Sequence, residues 1–336
     1  MHGLLSAANN WINGLVGRLI RWLVVLVLLA IAGAAAGLVW MHLVVQRERA
    51  PLPLVSDVLD LSKAADAPTK VWVIETAQQP TPRSAVLDPG TDPKPNAPYV
   101  MTHPSFVLEW ADGRLLLVDA GMTRAGAIKF GGPMESLLGA PPIEPLTTVA
   151  GALGEAAKRV KGIVFTHLHI DHVDGLRDLC PRVTPPLKVF MTGPQLDTWT
   201  LFTAEGKSLV ENAGCTDRVR IGGTPLIPLD GFPGVGVIAA GGHTPGSQAL
   251  VAFVRDATGT LKRYIFSGDI TNTIDGIRGD VSKPLLYRLV IVPEDDDRLG
   301  ELRRYLRALE SDHGINIVVS HDQGHLRSLG ISPWGS

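Results

Sequence analysis

Apolar residues along this chain follow three rhythms. From Trp22 to Val45 they run almost unbroken, WLVVLVLLAIAGAAAGLVWMHLVV, with no Asp, Glu, Lys or Arg. That exceeds the ~20 residues a helix needs to cross the hydrocarbon core of a bilayer, so the stretch predicts a membrane-spanning helix. Beyond it, short apolar runs bounded by Gly, Pro, Asp and Asn predict strands. They are VWVIET (71–76), SFVLEW and RLLLV on either side of Ala111-Asp112-Gly113, IVF (163–165), LKVFMT (187–192), RVRI, VGVIAA, QALVAFVR, LKRYIF and INIVVS. The Asp112-Gly113 pair predicts a hairpin. Residues 79–98 are Pro-rich and read as a loop. The third rhythm is helical: 151–160, 194–212 and 295–313 read as helices, the last from Leu299, Leu302, Leu306 and Leu309. Strands in two batches with helices between them predict two sheets covered by helices, an α/β layered fold.

Residues 1–50 thus read as a tail and membrane anchor, 51–70 as a linker, and 71–336 as one globular domain. Trp22 and Trp40 lie where interfacial aromatics belong, and Arg18, Arg21, Arg47 and Arg49 flank the span. AGAAAG would suit a signal peptidase, but the apolar run continues past it and is longer than a signal's core, which favours an uncleaved single-pass anchor through residues 22–45. The tail carries Arg18 and Arg21 without an acid, which favours tail inside and domain outside, periplasmic or otherwise extracytoplasmic. A formal net charge of −2 excludes a polyanion-binding surface, so no nucleic-acid partner is expected. Cys180 and Cys215 are the only cysteines and form no CxxC, so a thiolate zinc site is excluded and a single disulfide is left open. The oligomeric state is not legible.

Candidate chemistry is concentrated where apolar strands end. IVF leads into Thr166, His167, His169, Asp171 and His172; VIAAGG into His243; YIFSG into Asp269; INIVVS into His321; and RLLLV into Asp119. Imidazoles and carboxylates are costly to bury unless paired or bound to a metal, and rigid strand ends fix ligands while their loops stay open. His167 and His169 are two apart, so on extended chain they face the same way, whereas Asp171 and His172 follow where the chain turns toward helix. Such a nitrogen and oxygen donor set without thiolate suits zinc, manganese or iron. His103 and His313 carry no motif and are expected at the surface, His325 competes with His321, and Asp322 either orients a neighbour or faces water. Tyr264, Tyr287 and Tyr305 could each offer a hydroxyl, with nothing to favour one.

These motifs resemble the metallo-β-lactamase superfamily. HxHxDH is complete as His167, His169, Asp171 and His172, and GGHTPGS around His243, SGD around Asp269 and SHD around His321 follow in that family's order. The resemblance covers roughly residues 70–325. It implies an αββα sandwich holding two divalent metal ions, zinc by preference, with manganese or iron as alternatives. His167, His169 and His243 would hold the first; Asp171, His172 and His321 the second; Asp269 would bridge them, and Asp119 would support a ligand from behind. A metal-bridging hydroxide would then attack a small-molecule carbonyl, with Asp171 also carrying the proton.

THPSFVLEWADGRLLLVDAG resembles the opening of the N-acyl homoserine lactonase-like branch. That implies lactone or ester hydrolysis. A glyoxalase II-like thioester hydrolase shares the ligand set, but its basic C-terminal region is not recognisable. A non-catalytic metal-binding or sensing protein of the same fold is the other alternative, against which the complete ligand set speaks.

Overall fold

The two batches of strands become two sheets. The computed structural model describes residues 2–336, which form two compact units divided between Leu43 and Val44. Strands β1 (Lys70–Pro82), β2 (Pro98–Glu109), β3 (Leu115–Val118), β4 (Glu144–Pro145), β5 (Val160–Val164), β6 (Leu187–Thr192) and β7 (Thr216–Ile221) precede β8 (Leu226–Pro228), β9 (Val235–Ala239), β10 (Gln248–Arg255), β11 (Leu261–Phe266), β12 (Asn316–Val318) and β13 (Ser332–Pro333). The first sheet runs β13-β1-β2-β3-β5-β6-β7, with β4 also on β1. The second runs β12-β11-β10-β9-β8.

Alternation along each strand sorts side chains between faces. On β3, Leu116 and Val118 enter the core between the sheets while Leu115 and Leu117 face helices. On β10, Leu250, Ala252 and Val254 point inward, and Ala249, Val251 and Phe253 meet the Asp296–His313 helix and its neighbours. Both faces are covered, so these strands are apolar throughout. This is the αββα sandwich, preceded in sequence by a continuous helix, His2–Gln46, whose Val16–Gln46 stretch is long and apolar enough to span a membrane.

Several expected elements change shape. The helix expected over 151–160 breaks at Gly154, whose φ of 52° ends Val149–Leu153 before a 3-10 turn over Gly154–Arg159. The one expected over 194–212 splits into Gly193–Asp197 and Ala204–Asn212, with Thr198 extended between them. Residues 79–82, expected in a loop, prolong β1 and pair with 98–101 of β2. The segment expected as a linker carries the Val55–Asp60 helix, which buries Val58 against the second sheet. Cys180 and Cys215 form a disulfide with Cα atoms 5.5 Å apart.

Just beyond the apolar span, residues 48–53 form a strap on the sandwich. Both Glu48 carboxylate oxygens accept from the Gly246 N–H at 2.9 and 2.8 Å. Arg49 pairs with Asp295 at 2.9 Å, Arg298 donates to the Ala50 carbonyl at 2.8 Å, and the Tyr305 hydroxyl donates to the Pro53 carbonyl at 3.1 Å.

Candidate metal centre

The ends of β3, β5, β9, β11 and β12 converge at one edge of the sandwich. After β5, the backbone is pinned by Gln195 and Gln248, which donate to the Phe165 carbonyl at 3.1 and 2.9 Å. His169 is extended (φ −68°, ψ 150°), and the one-turn helix Ile170–Val173 then carries Asp171 and His172, whose ring lies 4.1 Å from that of His167. Gly206 lets the Ala204–Asn212 helix lie against this loop, since a Cβ there would meet the Leu168 carbonyl oxygen at 2.1 Å. Behind the loop Asp119 accepts from the Thr166 N–H at 2.7 Å and its hydroxyl at 2.8 Å.

Every residue predicted for the site is brought together and buried. His167, His169, His243 and Asp269 form one group, His172, Asp269 and His321 a second, and His103, Asp171 and His321 a third; each offers ligand atoms within 4.8 Å of one another. Asp269 lies between the first two: Oδ2 is 3.6 Å from His243 Nε2 and 3.9 Å from His167 Nε2, Oδ1 is 3.5 Å from His172 Nε2, and both oxygens are 3.1 Å from His321 Nε2. Asp171 Oδ2 is 3.5 Å from His172 Nε2 and 3.7 Å from His321 Nε2.

The far side of each ring sets its tautomer. His172 Nδ1 faces Asp119 at 2.8 Å, His243 Nδ1 faces Glu294 at 2.5 Å, and His321 Nδ1 faces the Thr102 carbonyl at 2.8 Å. These partners hold each ring from outside and turn its Nε2 into the cluster, where His321 Nε2 meets Asp269 Oδ2 at 3.1 Å and His243 Nε2 meets His169 Nδ1 at 3.3 Å. The Nε2 atoms of His167, His169 and His172 are buried without any hydrogen-bond partner. Buried polar atoms are rarely left so, and several lone pairs facing a carboxylate suit a divalent cation. The residues therefore fit the metal pair that the motifs imply.

The two groups differ in charge. Burial, helped by His172, holds the His167 imidazole well below its usual range; burial with His243 takes His169 down to about 3; and burial with the Lys283 charge depresses His243. On the other side burial works against charge but loses. The carboxylates of Asp171, Asp119 and Asp269 push His172 up to about 10, and Asp269 raises His321. Burial would also raise Asp171 and Asp269, yet the His172 charge and His103 hydrogen bond lower the first, and His321 and His172 lower the second.

Three supporting residues escaped the sequence. His103, expected at the surface, is only 2% exposed, with Nδ1 3.1 Å from Asp171 Oδ2. A signal for it exists: alternation along β2 puts His103 on the face of Ser105, whose hydroxyl donates to the Asp119 carbonyl at 2.7 Å. Lys283 and Glu294 form a buried ion pair at 2.6 Å, each side chain 1% exposed, and Lys283 also donates to the Asp269 carbonyl at 2.6 Å. Burial pushes the Glu294 carboxyl up to about 7 against the Lys283 charge. His325 belongs to none of the metal-competent groups and is spent on the Ile317 carbonyl at 2.8 Å, while Asp322 caps the Gln323–Ser328 helix. Of the three tyrosines, Tyr264 sits between the sheets and Tyr305 holds the strap, whereas Tyr287 lies over Lys283, 5.4 Å from its Nζ.

Residues 98–321 match the metallo-beta-lactamase superfamily model, and the chain belongs to that superfamily. No curated protein matches it by sequence. Among solved structures, an N-acyl homoserine lactone hydrolase with N-hexanoyl-L-homoserine at its catalytic metal centre aligns with a TM-score of 0.57 and 16% identity, over 78% of this chain and 96% of that one. A B. thuringiensis AiiA variant with N-decanoyl-L-homoserine at its active site gives 0.57 and 17% over the same shares. A probable metal-dependent hydrolase from Staphylococcus aureus gives 0.51 and 12%, over 76% and 91%.

Proposed function

We propose that the protein is a membrane-anchored dinuclear metallo-hydrolase that opens a lactone or ester, with zinc as its metal. The observation that carries this is the set of buried, partnerless Nε2 atoms of His167, His169 and His172 gathered about Asp269, which belongs to both ligand groups. His167, His169 and His243 would hold one ion, Asp171, His172 and His321 the other, and Asp269 both. Divalent ions bound there would supply Lewis acidity toward a carbonyl oxygen and make water nucleophilic near neutral pH.

The chain's own residues do the rest. Asp119, Glu294 and the Thr102 carbonyl hold three imidazoles in the tautomer that presents Nε2. Asp171 takes the proton of the attacking water at a carboxylate oxygen and returns it to the leaving oxygen as the ring opens. A lactone is favoured because the structural neighbours at TM-score 0.57 carry N-acyl homoserine products.

Residues 22–45 would form a single-pass anchor, with 71–336 as the catalytic portion. The Cys180–Cys215 disulfide favours an extracytoplasmic location, since disulfides persist in oxidising compartments. Comparing kcat/KM for N-hexanoyl-homoserine lactone, an aryl ester, a glutathione thioester and a cephalosporin tests the reaction. Lactone turnover should lead; a thioester leading by orders of magnitude would replace the lactonase reading, and no turnover of any would favour a sensing role.

A further inference from the structure

Asp171 stands on a helix of a single turn, Ile170–Val173, which does little to fix a side chain. Two imidazole nitrogens, of His172 and His321, approach its Oδ2 only to 3.5 and 3.7 Å, beyond hydrogen-bond distance. One donor reaches that oxygen closely, His103 Nδ1 at 3.1 Å. An ionised carboxylate only accepts, so the His103 proton sits on Nδ1 and points at Asp171.

His103 is itself held from three directions. Its carbonyl accepts from the Thr76 hydroxyl at 2.5 Å, and that hydroxyl accepts from the Met122 N–H at 3.0 Å. Its ring stands edge-on to Phe130 at 5.9 Å and to His321 at 4.9 Å. The residue before it, Thr102, offers the carbonyl that orients His321. One dipeptide in the middle of β2 thus addresses two of the ligands proposed for the second ion.

We infer that His103 is a positioning residue that fixes the rotamer of Asp171 and thereby completes the second metal position; this rests on the dinuclear reading above. Without the Nδ1–H, no donor within hydrogen-bond distance fixes that oxygen, and the carboxylate is free to turn away from the second metal position. A nitrogen donor outside the ligand set that orients a ligand carboxylate from behind typically changes metal affinity by roughly 10–100-fold.

The test uses the full-length protein in detergent, with zinc as the probe. Zinc content by elemental analysis and the affinity of the second zinc equivalent by chelator competition are measured for wild type, His103→Leu, His103→Gln and His103→Asn. Asn places an amide N–H where Nδ1–H stood; Gln places it one bond further out, where it misses Asp171. Leu and Gln should each weaken the second zinc by roughly 10–100-fold and leave the first in place, while Asn restores wild-type behaviour. If Leu fails to fold, the contrast between Gln and Asn still decides. Second-site affinity unchanged in Gln would overturn the proposal, leaving the dinuclear reading intact. Asn losing the second zinc as fully as Gln would overturn it in favour of His103 as a direct ligand. A wild-type protein unable to hold a second zinc would remove the dinuclear reading, and this inference with it.

Discussion

The three-histidine half of the centre and the carboxylate-rich half are drawn from similar residues and solve opposite problems. His167, His169 and His243 are kept neutral by burial, each other and Lys283, so a cation meets bare nitrogen lone pairs. Across Asp269, the Asp171, Asp119 and Asp269 carboxylates favour positive charge on His172 and His321, so there a cation competes with protons. Their outer supports differ accordingly. The first half leans on a buried charged pair, Lys283 with Glu294, and the second on Asp119, a backbone carbonyl and His103, an imidazole that burial holds below its usual range. Affinity for the same ion can thus rest on uncharged donors or on charge that must first give up its protons.

Removing the residue common to both halves erases the distinction and has the largest effect. Asp269→Ala should take zinc content from about two to below one per chain and cut kcat/KM by at least ~10³-fold, because a contribution of several kcal/mol is lost. Elemental analysis beside steady-state kinetics checks this, and two retained zinc ions would refute the bridging assignment.

Glu294→Gln should act on the three-histidine half alone. Zinc affinity there should fall roughly 10–100-fold, and Lys283, left without its carboxylate, should cost a further ~3–5 kcal/mol of stability. Replacing Lys283 by Met as well should recover the melting temperature but not the zinc affinity, which separates charge burial from histidine orientation.

The smallest effect is on the metal-free protein, where the halves should impose opposite pH limits on stability. His172 has a folded pKa of about 10 against 6.5 unfolded, so its stabilisation is whole below pH 6.5 and fades as pH rises through about 10. His169, at about 3 when folded, stabilises above pH 6.5 and loses that contribution as pH falls toward 3. Chelator-treated protein should therefore melt earlier on both sides of neutrality. His172→Asn should flatten the alkaline side only, which melting curves across pH will show.

What could be read from sequence followed the range of the interactions. HxHxDH packs four candidate ligands, three histidines and an aspartate, into six positions, and His243, Asp269 and His321 each announce themselves at the end of an apolar strand. These are local patterns, and the sandwich, set by period-two alternation, is local too. His103, Lys283 and Glu294 act only across the fold: His103 meets Asp171 from 68 positions away, and Glu294 meets His243 from 51. No periodicity marks such partners before the sheets are assembled. Local breakers were likewise underweighted, as when Gly154 in the left-handed region cut a stretch whose composition favoured one helix.

The strap over residues 48–53 bears on how such a chain can be recombined. Hydropathy would place the seam between the apolar helix and the sandwich where the apolar run ends, at Val45, or anywhere in the residues that follow. The usable window is narrower, because Glu48 and Arg49 already belong to the loops around His243 through Gly246 and Asp295. An anchor borrowed from another gene, or a tag replacing this one, can be spliced in without loss only if the junction falls before Glu48. A junction two residues later exchanges two side chains that the sandwich, rather than the apolar helix, has shaped.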